Sequence, residues 1–286
     1  MEAKQITVFG GSGFLGRHAV RALARAGWRI KVACRTPNRA FFLRPLGQVG
    51  QIGFVKCDVT EPDQVAAALQ GSHAALYLPG LLFARGQSFE DVHAAGAGHV
   101  AEAAAGLGIS KLVHVSALGA DSESESRYAK TKADGEHRVR AALPLIGGGH
   151  TRFQPVFVGD VAAAIAAALE TPDAAGRTYE LGGPTIYSFK ELLQIVLSAI
   201  GRKRLLLPLP FWLASLKAFF LQLAPKPLLT PDQVTLLRHD NVVSPTALSL
   251  ADLGIHPTTV EAEIPTYLWR FRAKGEYADL VPEKTG

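Results

Sequence analysis

The feature that most constrains this chain is a glycine-rich turn between an apolar run and a helical pattern. The run QITVF leads directly into GGSGFLG, where Gly10, Gly13 and Gly16 recur at three-residue spacing. Glycines at these positions allow a tight turn and a close backbone approach to a pyrophosphate, and a helix N-terminus favours that anion. The pattern predicts a dinucleotide-binding turn, with an ordinary glycine-rich turn as the alternative. The same turn contributes Ser12, Phe14 and Leu15 to the predicted site.

Short apolar runs alternate with alanine-rich helical patterns through the first 142 residues. The predicted strands cover 5–9, 30–34, 53–58, 74–78 and 111–116. This alternation predicts an α/β fold with a Rossmann-type, doubly wound parallel sheet. We expect two domains: a dinucleotide-binding domain at 1–142, and a smaller, mostly helical C-terminal region at 143–286. The second region is expected to pack on the first.

Composition and charge limit the classes of partner. The chain is 48% hydrophobic and carries a net charge of +5, which permits anionic partners such as phospholipid head groups or cofactor phosphates. No Lys/Arg stripe is evident along one predicted helix, so nucleic acid is not expected. Cys34 and Cys57 form no CxxC pair and the histidines have no metal-ligand spacing, so no metal is expected.

The end of the second predicted strand indicates which dinucleotide would bind. A site selective for NAD usually has an acidic residue there, but this chain has Arg35, with Arg39 nearby. An arginine pairs with a 2′-phosphate through charge-assisted hydrogen bonds, which favours NADPH over NADH. The alternative is that Arg35 is a plain surface residue. Asp58 and Val59, after the third strand, are expected at the adenine edge.

Ser116, Tyr128 and Lys132 form a possible proton-donating group beside the nicotinamide. Tyr128 and Lys132 are four residues apart, on one helix face, and an adjacent ammonium lowers a tyrosine pKa. Ser116 ends the fifth predicted strand. Together they could protonate a carbonyl, or they could be retained only to hold the cofactor. On these residues alone, whether the chain catalyses a reaction of its own stays open.

An apolar segment in the second half of the chain predicts a helix that lies against a membrane surface or another protein. This helix covers 211–224, beginning at Phe211 and ending at Ala224, and is about 21 Å long at 1.5 Å per residue. A bilayer core needs about 30 Å, so the helix is expected to lie on a membrane or against a subunit rather than to span. Completion of the local core is the alternative.

Several motifs resemble known families. GGSGFLG, VSALGA and YAKTK are similar to the short-chain dehydrogenase/reductase superfamily, in its extended or atypical branch. RFQPVFVGDVA, LPLPFWLA, LTPDQV and YADLVPEKTG resemble the NADPH-binding accessory subunit of respiratory complex I and its bacterial homologues. The resemblance implies a structural NADPH, partner subunits of the proton-pumping NADH:quinone oxidoreductase near the quinone site, and the cytoplasmic face of the bacterial inner membrane.

The chain departs from the superfamily after the predicted Tyr–Lys helix. A sixth strand and a stretch over the substrate pocket are expected there, but a parallel strand needs a crossover of about a dozen residues. The sequence passes directly into LPLIGGGHTRFQPV, so a segment is missing near 143–147. Either the protein has lost it, or the sequence as read leaves it out. We favour the second explanation, because losing a sheet strand would expose the pocket.

Three hypotheses follow for function. The first is a cofactor-holding accessory subunit of complex I. The second is a free NADPH-dependent reductase or epimerase, acting through Ser116, Tyr128 and Lys132. The third is a nucleotide-ratio sensor whose partner affinity differs between NADPH and NADP⁺, since a ligand without differential binding shifts no equilibrium.

Overall fold

The structure is a computed structural model that describes residues 4–80, 90–116, 142–201, 205–221, 229–268 and 271. The strands are β1 (Gln5–Phe9), β2 (Arg29–Cys34), β3 (Ile52–Lys56), β4 (Ala74–Tyr77), β5 (Lys111–His114), β6 (Ala142–Ile146), β7 (Arg152–Phe153), β8 (Tyr187–Ser188) and β9 (Leu205–Leu209). The α-helices are α1 (Phe14–Arg25), α2 (Pro62–Leu69), α3 (Gly96–Gly106), α4 (Val158–Glu170), α5 (Phe189–Ala199), α6 (Phe211–Leu221), α7 (Pro231–Leu236) and α8 (Val260–Leu268). A 3-10 helix (Pro37–Leu46) follows β2, and a π-helical turn (Glu90–Ala95) precedes α3.

The first five strands form one parallel sheet in the order β3-β2-β1-β4-β5. This confirms the predicted fold class and the five predicted strands. Alternate residues of β1 enter two cores, with Ile6 and Val8 on one face and Phe9 on the other. Helices α1 and α4 cover the first face, and α2 and α3 cover the second. The strands read as continuous apolar runs because both faces of the sheet are buried.

The chain divides into two compact units that do not coincide with the predicted ranges 1–142 and 143–286. One unit comprises Met1–Ala117, Val158–Tyr179 and Leu248–His256, and the other comprises Leu118–Phe157, Glu180–Ala247 and Pro257–Gly286. Helix α4 belongs to the first unit because its Ile165 and Leu169 are buried in the same core as α1 and β1. An alanine-rich helix after the sheet region therefore completes the first unit.

The second unit contains two small sheets and a local core. Strand β6 pairs in parallel with β9, and β7 pairs antiparallel with β8. Strands β6 and β9 were not predicted, since both contain proline, which is uncommon inside strands. Residues 142–146, beside the predicted missing segment, thus lie outside the five-stranded sheet. In the described part of the chain, no strand pairs with the outer edge of β5.

Helix α6 begins immediately after the prolines of the apolar segment. The amide of Ala214 donates to the carbonyl of Pro210 at 3.0 Å, which starts the helix. The predicted helix 211–224 is described to Leu221, and its last three positions lie outside the described residues. Within the described ranges, no helix combines the length and apolarity needed to cross a bilayer.

Candidate functional site

The candidate site lies where the sheet order reverses direction. Strands β1 and β4 are neighbours, and the chain leads outward from them toward β3 on one side and β5 on the other. In parallel sheets, ligands bind in the crevice at the carboxyl ends of the strands at such a point. The predicted residues Gly10, Arg35, Asp58 and Ser116 all follow carboxyl ends of these strands. The fold therefore collects residues from distant parts of the sequence along one sheet edge.

The glycine turn is too tight for side chains at two of its positions. Gly10 has φ +75°, and a Cβ atom on it would lie 3.0 Å from the backbone nitrogen of Pro79, after β4. A Cβ atom on Gly16 would lie 2.3 Å from the carbonyl oxygen of Gly10 and 2.6 Å from the backbone of Gly11. Helix α1 thus packs directly on the turn. A side chain at Gly16 would force α1 away from the turn, and one at Gly10 would meet the backbone after β4.

The N-terminus of α1 is suited to an anion. Gly13 is the N-cap residue, it provides no side-chain cap, and the first turn of the helix carries no acidic residue. The amide of Gly13 donates to the carbonyl of Gly10 at 3.0 Å, which closes the turn. Free helix amides and the helix dipole favour a phosphate here. The cradle formed by the glycines fits the diphosphate of a dinucleotide.

The other predicted residues of the turn have different environments. Ser12 and Leu15 are half-buried, and Leu15 packs against the core. The Phe14 side chain is 70% exposed and contacts the His18 ring edge-on, with centroids 5.5 Å apart. Leu15 thus anchors α1, whereas Ser12 and Phe14 lie beside the candidate phosphate position.

The segment after β2 carries both predicted arginines on the protein surface. Arg35 and Arg39 are exposed, and the amide of Arg39 donates to the carbonyl of Thr36 at 3.1 Å as the 3-10 helix begins. The arginines therefore stand on a short ordered turn at the end of β2, where the ribose of a dinucleotide lies in this fold.

Two cation–π contacts that the sequence did not predict hold this segment in place. The Arg17 guanidinium lies 5.3 Å from the Phe42 ring centroid, and Arg44 lies 4.2 Å from that of Phe41. Phe41 also packs edge-on against Phe54 of β3, at 5.2 Å. Each such contact is worth about 0.5–1 kcal/mol at exposed sites. Aromatic residues within an arginine-rich turn were the only available sequence signal.

Asp58 is held by local hydrogen bonds after β3. Its Oδ1 accepts from the amide of Thr60 at 3.2 Å and from the Thr60 hydroxyl at 2.9 Å. The Asp58 amide donates to Oε1 of Gln64 at 3.0 Å. The carbonyl of Val59 lies 3.1 Å from Nδ1 of His99. Their role at an adenine edge stays a prediction, because these contacts fix the loop without identifying a ligand.

Tyr77 and Cys57 are buried beneath the strand ends and were not predicted. Burial raises the pKa of Tyr77 to about 12 and that of Cys57 to about 11. The Tyr77 hydroxyl donates to the carbonyl of Val92, and its ring stacks on His114 with centroids 5.4 Å apart. Both groups therefore stay protonated at neutral pH and are poor candidates for an acid or a nucleophile.

The structure places only one member of the predicted proton-donating group. Ser116 is exposed and lies two residues beyond β5, and the amide of Val115 extends the pairing with β4 by donating to the carbonyl of Tyr77 at 3.0 Å. Tyr128 and Lys132 lie outside the described residues. Among the residues that are described, no group of three or more His, Cys, Asp or Glu side chains could hold a metal ion.

The sheet, the switch point and the glycine turn define a Rossmann fold of the kind that binds NAD(P). Residues 7–140 match the 3-beta hydroxysteroid dehydrogenase/isomerase family. The fold is similar to NADPH-dependent quinone oxidoreductase QOR2 from Escherichia coli, complexed with NADPH. The TM-score is 0.67 at 19% identity, covering 91% of this chain and 99% of that one.

Similarity to curated proteins extends beyond the Rossmann unit. The chain is 34% identical to NADH dehydrogenase [ubiquinone] 1 alpha subcomplex subunit 9, mitochondrial, of Arabidopsis thaliana, covering 97% of this chain and 81% of that protein. It is also 38% identical to ceramide reductase of Caulobacter vibrioides, but over only 49% of this chain and 43% of that protein. The chain belongs to the family of the alpha subcomplex subunit 9 of NADH dehydrogenase [ubiquinone].

The alignment with the plant protein also bears on the predicted missing segment. It extends over 328 residues, which is longer than the 286 residues of this chain. The plant protein therefore has residues inside the aligned region that this chain lacks. The comparison does not give the position of these residues, and a missing segment near 143–147 stays a prediction.

Proposed function

We propose that this chain is an accessory subunit of the proton-pumping NADH:quinone oxidoreductase, complex I, and that it holds NADPH as a structural cofactor. The observation that carries the proposal is the similarity to a subunit of NADH dehydrogenase [ubiquinone] over 97% of the chain. That similarity includes the second unit, which a dinucleotide-binding turn alone does not require. A partner-specific role explains why both units are retained.

The proposed cofactor is NADPH, with its diphosphate at the N-terminus of α1 and its 2′-phosphate beside Arg35. The glycine cradle and the exposed arginines at the end of β2 support this proposal. Free NADPH supplies a hydride, but a structural role requires only that it be held. Ser116, Tyr128 and Lys132 are proposed as a retained ribose and nicotinamide clamp. Asp58 and Val59 are proposed at the adenine edge.

The proposed position in the complex is near the quinone site, where the hydrophilic and membrane arms meet, on the cytoplasmic face of the bacterial inner membrane. Helix α6 supports a role at a membrane surface. Its Ala214 and Ala218 are fully buried in the core of the second unit. On the opposite face lie four exposed apolar side chains: Trp212, Leu216, Phe219 and Phe220. We call these four residues the α6 apolar face and propose that it contacts lipid.

Replacing Trp212 and Phe219 together with serine should weaken binding to anionic lipid vesicles at least about tenfold. Each aromatic side chain can bury about 150–250 Å², at about 25 cal/mol per Å². Even partial burial therefore contributes more binding free energy than a tenfold change in affinity requires. Vesicle co-sedimentation measures the effect. Tyr267→Ser is the matched control, because Tyr267 is 48% exposed on α8 and lies outside this face. Equal binding by both variants would exclude lipid contact through α6.

The proposed function is tested in membranes of the source organism. Solubilised membranes are separated on a native gel, and the chain should migrate with NADH dehydrogenase activity and carry about one NADPH per copy. Bound NADPH should not be consumed when NADH and quinone are supplied. Migration as a free monomer, away from that activity, would overturn the proposal.

A free reductase is the second candidate, favoured by the 38% identity to ceramide reductase over half of the chain. It requires NADPH oxidation that depends on a carbonyl or quinone substrate and is abolished by Tyr128→Phe. The structural role instead expects no oxidation across such substrates, and bound NADPH in the Tyr128→Phe protein. Substrate-dependent NADPH oxidation by the wild type that is absent in Tyr128→Phe would establish the reductase.

A further inference from the structure

Helix α1 carries a row of arginines on its solvent face. Arg17, Arg21 and Arg25 recur at four-residue spacing and are exposed, whereas Ala19, Val20, Leu23 and Ala24 on the opposite face are buried. The prediction that no basic stripe runs along one helix is therefore wrong for α1. The stripe is not evident along the sequence, because apolar residues of the buried face separate the three arginines. We call these three residues the arginine face.

Acidic residues are scarce in the sequence around the arginine face. Residues 3–57 contain ten lysines and arginines and no aspartate or glutamate, although the whole chain carries a net charge of only +5. The salt bridges among the described residues are Lys4–Glu170 and Arg152–Asp240. No described carboxylate therefore pairs with the arginine face.

This arrangement disfavours the isolated helix. Like charges four residues apart cost about 0.2–0.5 kcal/mol per pair, and a cation in the first turn opposes the helix dipole. The positive field reaches His18, whose pKa is lowered by burial and then by Arg21 and Arg17. Arg25 is favourable in the last turn, and Arg17 contacts Phe42. Arg21 lies in the middle of the helix, where it has neither the favourable dipole position of Arg25 nor the aromatic contact of Arg17.

We propose that the arginine face is a docking surface for a carboxylate-bearing surface of a neighbouring protein subunit. This inference rests on the proposed function and names one contact within the complex. The guanidinium fork binds carboxylates in bidentate geometry, and the face from Arg17 to Arg25 is about 12 Å long at 1.5 Å per residue. It therefore fits two or three acidic side chains on one element of the partner.

The composition of the surface favours protein over lipid or nucleic acid. Every basic residue of α1 is an arginine, and exposed aromatic side chains flank the face, with Phe14 at the start of the helix and Phe42 stacked on Arg17. Arginine and aromatic residues are enriched in protein interfaces, whereas lysine is depleted. Phosphate-tracking surfaces use lysine and arginine alike.

Charge reversal tests the proposal in the intact membrane. The double variant Arg21→Glu/Arg25→Glu is expressed in the source organism in place of the natural chain, with Arg177→Glu, also exposed on the first unit, as the matched control. On the native gel, the amount of the double variant that migrates with NADH dehydrogenase activity should fall at least about tenfold. Its NADPH content should be unchanged. The control should migrate normally. Normal migration of the double variant would overturn the inference and leave the proposed function standing, whereas failure of the unsubstituted chain to migrate would contradict both.

Crosslinking identifies the chemistry of the contact. Arg21→Lys keeps the charge and places an amine at position 21, which a carbodiimide joins to a carboxylate in direct contact. In the isolated complex, we expect a crosslink from position 21 to an aspartate or glutamate of another subunit. Absence of that crosslink would overturn the protein contact. So would a double variant that still assembles but no longer binds phosphatidylglycerol vesicles or RNA.

Discussion

Gly16→Ala should destabilise the protein by about 3 kcal/mol or more and remove bound nucleotide. The added Cβ would lie 2.3 Å from the carbonyl oxygen of Gly10 and 2.6 Å from backbone atoms of Gly11. Backbone atoms cannot turn away as a flexible side chain can, so α1 must move from the glycine turn. Overpacking in a core costs about 1–3 kcal/mol even where side chains can adjust. Urea denaturation and the nucleotide content of the purified protein measure the two effects.

Gly98→Ala is the matched control for this prediction. Gly98 lies inside α3, and a Cβ atom there would meet nothing within 4 Å. Alanine in a helix interior is favoured over glycine by about 0.5–1 kcal/mol, so this variant should be as stable as the wild type or slightly more stable. A Gly16→Ala protein with unchanged denaturation and full nucleotide content would show that α1 does not need to pack on the turn.

The five-stranded sheet could be predicted because its physical cause is local. Strands buried on both faces must be apolar along their whole length, and the turn into α1 must contain glycine at Gly10 and Gly16. The sequence also predicts Ser188 and Thr230 as helix caps for the same reason, and each side chain accepts a hydrogen bond from a backbone amide three residues away. In these cases a few neighbouring residues determine the structure.

Features that depend on distant residues were missed. Strand β6 is paired with β9, which lies far along the sequence. Proline in both strands made a strand pattern hard to recognise. The run RTYELGG is typical of a short strand, but that prediction is wrong, because Tyr179 forms an isolated bridge with Leu248 instead. The contact of Arg17 with Phe42 brings together α1 and the 3-10 helix, which no linear pattern shows.

The candidate site was predictable to the same extent as the sheet. The carboxyl ends of parallel strands share one edge, so the relative placement of Gly10, Arg35, Asp58 and Ser116 follows once the strand order is known. The geometry of Tyr128 and Lys132 relative to that edge stays a prediction, because both lie outside the described residues. Nucleotide selectivity through the cations after β2 likewise stays a prediction, which substitution can test.

Arg35→Ser should lower the affinity for NADPH about 10- to 100-fold and leave the affinity for NADH unchanged. A hydrogen bond to a charged group contributes about 1.5–3 kcal/mol, and each 1.4 kcal/mol is tenfold in affinity. NADH has no 2′-phosphate and cannot make this contact. Fluorescence titration of the purified protein with each nucleotide measures the difference. Arg39→Ser should have a smaller effect if Arg35 makes the main contact.

Lys56→Ser controls for the general loss of positive charge. Lys56 is also exposed, and it ends β3, the strand that pairs with β2, with Lys56 opposite Cys34. Removing it changes the net charge equally without removing a guanidinium from the end of β2, so the two affinities should fall together and only slightly. If Arg35→Ser also lowers both affinities equally, the arginine contributes only to the overall field. The cofactor would then be selected by other residues, and the preference for NADPH would have to be abandoned.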